Sequence, residues 1–110
     1  MIPLDTKILI VDDAKTMRRI VLSYLTKLGL TKVHEADDGE TAWDAIQKAQ
    51  ESKDPFKLII SDWNMPKMKG IDLLAKVRSD LNMKSTPFIL LTAESEVDQV
   101  SKAAHLGVSG

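Results

Sequence analysis

KILIVDD, residues 7–13, is a short, continuously apolar and mostly β-branched run that ends in two acids. Such a run without polar alternation reads as a strand buried on both faces, the mark of a parallel sheet covered by helices on either side. Two later segments repeat the design: Lys57–Ser61, KLIIS, followed by Asp62, and Pro87–Leu91, PFILL, followed by Thr92. A fourth, Lys32–Ala36, KVHEA, alternates apolar with polar and suits a sheet edge.

Between these runs the apolar spacing changes to that of helices. Met17, Ile20, Val21, Tyr24, Leu25 and Leu28 form one stripe, closed by Gly29. Ala42, Ala45, Ile46 and Ala49 form a second, Leu74, Val77 and Leu81 a third, and Val97, Val100, Ala104 and Leu106 a fourth. The resulting order, β-α-β-α-β-α-β-α, predicts right-handed crossovers and an α/β, doubly wound parallel sheet.

Bulk properties narrow the function. The chain has 110 residues, 15 basic and 16 acidic, with a formal net charge of −1. That balance gives no basic footprint for nucleic acid. Without cysteine there is no disulfide framework and no thiolate chemistry. No apolar run is long enough to span a bilayer, and MIPLDTK lacks the layout of a signal peptide, so no membrane association and a cytoplasmic location are expected.

Ligands of open parallel sheets bind beyond the carboxyl ends of the strands. Asp12, Asp13, Asp62 and Thr92 all fall there. At about 4 Å and an effective dielectric near 20, each pair of carboxylates repels by about 4 kcal/mol. A shared proton or a cation must offset that repulsion. Oxygen ligands favour a hard ion, and Mg²⁺ is expected, held by carboxylates and a backbone carbonyl. A carboxylate beside such an ion can accept a phosphoryl group as an acyl phosphate. Asp62, alone at the end of a central strand, is the candidate nucleophile; adjacent Asp12 and Asp13 read as metal holders. Thr92 could hydrogen-bond the new phosphoryl oxygen. Taken alone, Asp12–Asp13 would equally suit a helix N-terminus, and Thr92 an N-cap.

VDDAKTMRRIV, ISDWNMPKMKGIDLL and LLTAE resemble the receiver domain of two-component response regulators, closest to the single-domain chemotaxis type. The resemblance implies a flavodoxin-like sheet of order 2-1-3-4-5 and a signalling switch in place of a dedicated enzyme. It assigns Asp62 as phosphoacceptor, Asp13 as direct Mg²⁺ ligand, Asp12 as a helper through water, and Asn64 as donor of a backbone carbonyl to the metal. Thr92 becomes the switch hydroxyl beside the small Ala93, and Asn64 and Glu94 tune hydrolysis of the acyl phosphate. Gly70 is expected to turn the loop after Met65–Pro66 with a positive φ. The implied partners are a sensor histidine kinase, a phosphatase and the flagellar motor switch protein.

The family pattern continues with a fifth strand, carrying a lysine before a proline, and a fifth helix. The sequence ends at Gly110, so residues 1–110 read as one receiver domain, C-terminally incomplete. The fourth strand is then expected as an exposed edge open to self-association. An inactive or decoy receiver is the alternative function. A metal-dependent phosphohydrolase is a weaker one, since Asn64 stands where its general acid would be.

Several single residues carry smaller expectations. Trp63 should report on the site, Trp43 should be partly exposed, and Met17 should pack. Arg18 and Arg19, like Lys67 and Lys69, read as solvated. His34 and His105 are isolated.

Overall fold

The structure is a computed structural model that describes residues 3–63 and 67–91. Asn64, Met65, Pro66, Thr92, Ala93, Glu94 and the fourth helical stripe lie outside the described residues. Among the described residues, four strands, β1 (Ile8–Val11), β2 (Val33–Ala36), β3 (Leu58–Asp62) and β4 (Phe88–Leu91), alternate with three helices, α1 (Lys15–Lys27), α2 (Gly39–Glu51) and α3 (Gly70–Ser79). All three pairings are parallel, and the sheet order is β2-β1-β3-β4. The alternating strand is an edge, as its pattern required.

Side-chain parity splits the core in two. Leu9, Val11, Ile59, Phe88 and Leu90 face α2 and α3, where they meet Ile46, Leu73, Leu74 and Val77. Ile8, Ile10, Leu58 and Ile60 face the other way and meet Leu25 of α1 and Leu30. β1 is covered on both faces, with every residue at most 1% exposed. Burying a Leu or Ile side chain contributes about 1.5–3 kcal/mol, so these two layers carry the fold.

Helix ends follow local chemistry. Gly29 stops α1 at φ 86°, and the bonds Gly29 N–H to Thr26 O and Leu30 N–H to Leu25 O, both 2.9 Å, complete a Schellman motif. Asp38 begins α2: its carboxylate accepts from the Thr41 N–H at 2.8 Å, and the Thr41 hydroxyl faces back to the Asp38 N–H.

Three expectations are corrected. The α1 stripe is only partly packed: Leu25 is buried, but Met17, Ile20, Tyr24 and Leu28 are 42–68% exposed. Leu81 lies past the end of α3 and is 84% exposed. Gly70 has no positive φ; its role is steric, because its Cα lies against the carbonyl oxygen of Asp62. Among the described residues of that loop, Lys67 takes the left-handed conformation, at φ 66°.

Candidate functional site: an acidic cluster at the sheet edge

Strand register builds the cluster. Val11 of β1 stands opposite Ser61 of β3, so Asp12 and Asp62 occupy the next level of neighbouring strands. They follow Ile10 and Ile60 in parity, which turns both side chains toward the same face of the sheet. Asp13 continues from Asp12 into the turn before α1. One carboxylate oxygen from each of Asp12, Asp13 and Asp62 lies within 4.8 Å of the others.

Each acid has a distinct setting. Asp12 is buried, Asp13 exposed and Asp62 half-buried. Asp12 Oδ1 accepts the Ala14 N–H at 2.8 Å, and the Asp12 N–H donates to the Ala36 carbonyl of β2 at 3.1 Å. Asp62 Oδ1 accepts the Trp63 N–H at 2.8 Å. Burial pushes the Asp12 carboxyl above its ordinary range, and the adjacent Asp13 charge adds to the rise. The Ala14 N–H and the Arg18 cation pull the other way. Burial and a neighbouring like charge both make the ionised form of Asp12 costlier than it would be in water.

These acids are not helix caps. The N-cap of α1 is Ala14, with no side-chain cap, and the first turn of α1 holds no acid. Three oxygens from three carboxylates, with no nitrogen or sulfur, form a donor set for a hard divalent cation.

Around the cluster, Trp63 is buried at 4% exposure next to the Asp62 backbone, and Trp43 is partly exposed, with the Lys76 ammonium 5.5 Å from its ring centre. Lys67 and Lys69 are exposed, and Lys67 Nζ lies 3.7 Å from an Asp38 carboxylate oxygen. Arg18 departs from its expected place on a solvated face. Its side chain is only 15% exposed, and Nη1 donates to the Asp12 carbonyl at 2.6 Å while Nε donates to Glu35 at 3.1 Å. One signal in the sequence pointed there: long helical side chains lean toward the N-terminus, and Arg18 lies just inside the start of α1.

Residues 8–110 match the model of the response regulator receiver domain. The chain belongs to that family. Among curated relatives, the chemotaxis protein CheY-3 of Vibrio cholerae is 47% identical over 104 residues, which cover 94% of this chain and 76% of that protein. The chemotaxis protein CheY of Pseudomonas aeruginosa is 48% identical over 104 residues, 94% of this chain and 80% of that one. Among solved structures, the chemotaxis response regulator CheY4 of V. cholerae superposes with a TM-score of 0.83 at 35% identity, covering 96% of this chain and 83% of its own. The phosphorylated cyanobacterial phytochrome response regulator RcpA gives 0.86 at 26% identity, covering 94% and 76%. The receiver is thus of the chemotaxis type within two-component signalling. No helix among the described residues is long and apolar enough to cross a membrane.

Proposed function

We propose that this receiver is a phosphorylation switch in which Asp62 accepts a phosphoryl group from the phosphohistidine of a sensor kinase. The observation that carries the reading is the convergence of the Asp12, Asp13 and Asp62 oxygens within 4.8 Å at the carboxyl edge of the sheet. The family relationship supports it, as does the phosphorylated state of the RcpA relative.

In the transfer, an Asp62 carboxylate oxygen bonds to phosphorus as the phosphorus–nitrogen bond of the donor breaks. The electron pair leaves with the imidazole nitrogen. The Trp63 N–H, shared between Asp62 Oδ1 and the Leu91 carbonyl, helps orient the carboxylate before attack. Asp13 and Asp12 would hold Mg²⁺ together with Asp62 and the Asn64 carbonyl. Bound there, the ion supplies neutralising charge for the carboxylates and the phosphoryl oxygens. Thr92 would hydrogen-bond a phosphoryl oxygen beside the small Ala93, with Asn64 and Glu94 governing hydrolysis of the acyl phosphate. Phosphorylation would shift an existing two-state equilibrium. The partners are a histidine kinase, a phosphatase and, by kinship with the chemotaxis proteins, the flagellar motor switch; a cytoplasmic location follows from that set.

The test is intact-mass spectrometry after incubation with acetyl phosphate and Mg²⁺. The parent should gain one phosphoryl mass, sensitive to hydroxylamine, and Asp62→Asn should gain none. An unmodified parent, or an equally modified Asp62→Asn, would refute the assignment.

A further inference from the structure

We propose that Arg18 is a positioning residue for the cation site: its guanidinium, held by Glu35, clamps the backbone of Asp12. The proposal rests on the cation-site reading given above.

Asp12 is held from three sides. Its N–H donates to the Ala36 carbonyl at 3.1 Å, and its Oδ1 accepts the Ala14 N–H at 2.8 Å. Its carbonyl accepts Arg18 Nη1 at 2.6 Å. The first two are bonds to main chain. The third is made by a side chain of α1, and it ties that helix to the residue that follows β1. Glu35 completes the clamp. It lies on β2 opposite Ile10, one level below the Ala36–Val11 pair, and its Oε1 accepts Arg18 Nε at 3.1 Å. One planar group on α1 thus joins β2 and the residue after β1 at the edge where the carboxylates meet.

The chemistry requires arginine. Nε and Nη1 project from one rigid plane, so a bond to Glu35 orients the donor aimed at Asp12. A lysine has a single point donor and cannot hold both acceptors in this geometry. Charge and position have opposite consequences for a bound cation. A nearby positive charge by itself repels a divalent ion, so its removal would strengthen binding. A clamp that presets the Asp12 main chain favours binding, so its loss weakens it. Arg18→Lys separates the two because it keeps the charge and removes the fork.

Mg²⁺ is titrated while Trp63 emission is followed in the full chain, with a Trp43→Phe background to isolate the signal. Outer partners of metal ligands typically contribute about 10-fold to affinity. Arg18→Lys should therefore weaken Mg²⁺ binding about 10-fold. Glu35→Ala should weaken it in the same direction, and the double variant should bind no worse than Arg18→Lys alone, because both changes break one clamp. Glu35→Gln keeps an acceptor for Nε and should bind within about 2-fold of the parent. The amide resonance of Asp13, whose N–H is conjugated with the Asp12 carbonyl, should shift in Arg18→Lys without Mg²⁺, while the melting temperature stays within about 2 °C. Parent-like Mg²⁺ affinity in Arg18→Lys, or additive losses in the double variant, would overturn the clamp and leave the cation site standing. A loss of affinity matched by a fall in melting temperature would reassign Arg18 to fold stability. A parent with no Mg²⁺ response would overturn the cation site and the clamp together.

Discussion

The Cα of Gly70, first residue of α3, rests against the carbonyl oxygen of Asp62, and the Gly70 N–H donates to the Trp63 carbonyl at 3.0 Å. The candidate phosphoacceptor is therefore packed against the start of the helix that follows its loop. A methyl group at Gly70 would overlap that carbonyl and stand 3.0 Å from Leu90 Cδ2. Overpacking typically costs about 1–3 kcal/mol, and here main chain must move. Gly70→Ala should lower stability by about 3 kcal/mol in urea unfolding, and acetyl phosphate labelling should slow because Asp62 shifts. Labelling at the parent rate would separate this packing contact from the site.

This contact marks the boundary of what sequence alone reveals. The parallel sheet was legible because ILIV, LII and FILL lack alternation, and the edge strand because VHEA has it. The cluster was legible because Asp12 and Asp62 each end such a run, so register alone sets them side by side. Gly70 was expected to supply a positive φ, because a glycine in a loop has two readings and only coordinates separate torsional need from close approach. Arg18 was read as solvated because a charged pair on a helix usually is. Its partner Glu35 lies 17 positions away on β2, so no local pattern reveals the pairing. The exposed stripe of α1 shows the limit of periodicity: spacing shows that a face is apolar, not how much of it is covered.

Burial raises the Asp12 pKa above its ordinary value of 3.8. A raised carboxyl favours the folded state below the unfolded value, and that contribution is lost as pH rises through the folded value. At neutral pH the charged Asp12 therefore opposes folding when no cation is bound. Asp12→Asn keeps an acceptor for the Ala14 N–H and removes the charge. It should stabilise the metal-free protein at pH 7 by on the order of 1 kcal/mol, which corresponds to several degrees in Tm for a domain of this size. The gain should vanish below pH 3.8, where the parent carboxyl is neutral in both states. Thermal melts across that range in a chelating buffer measure it; an advantage that grows toward low pH would contradict the burial argument.

Asp38 should show the opposite pH dependence. The Thr41 N–H holds its carboxyl below the ordinary value, with help from the Thr41 hydroxyl and Lys67. A lowered carboxyl contributes stability above the unfolded value of 3.8, and that contribution is lost as pH falls through the folded value. Losing an N-cap acid costs about 1 kcal/mol. Asp38→Ala should therefore be less stable than the parent by about that amount at pH 7, with the gap closing in acid. Asp38→Asn, which can still cap, should lose less. Paired denaturation curves at neutral and acidic pH give both numbers, and a gap that stays constant would remove the charge from the explanation.

The end of α2 offers a test confined to the main chain. The Asp54 N–H donates to the Ala49 carbonyl at 3.0 Å and the Lys53 N–H to the Gln50 carbonyl at 3.0 Å, the same pair of bonds that closes α1. Here the left-handed position, at φ 60°, is held by Lys53 where α1 uses Gly29. A side chain in that region costs about 1–2 kcal/mol, partly offset in glycine by its greater freedom when unfolded. Lys53→Gly should therefore raise stability by about 0.5–1 kcal/mol. Mg²⁺ affinity and phosphorylation should not change, since the substitution lies at the opposite end of the strands from the acids. Urea unfolding with a parallel labelling assay checks both, and a destabilised Lys53→Gly would show that the lysine side chain contributes more than its backbone strain costs.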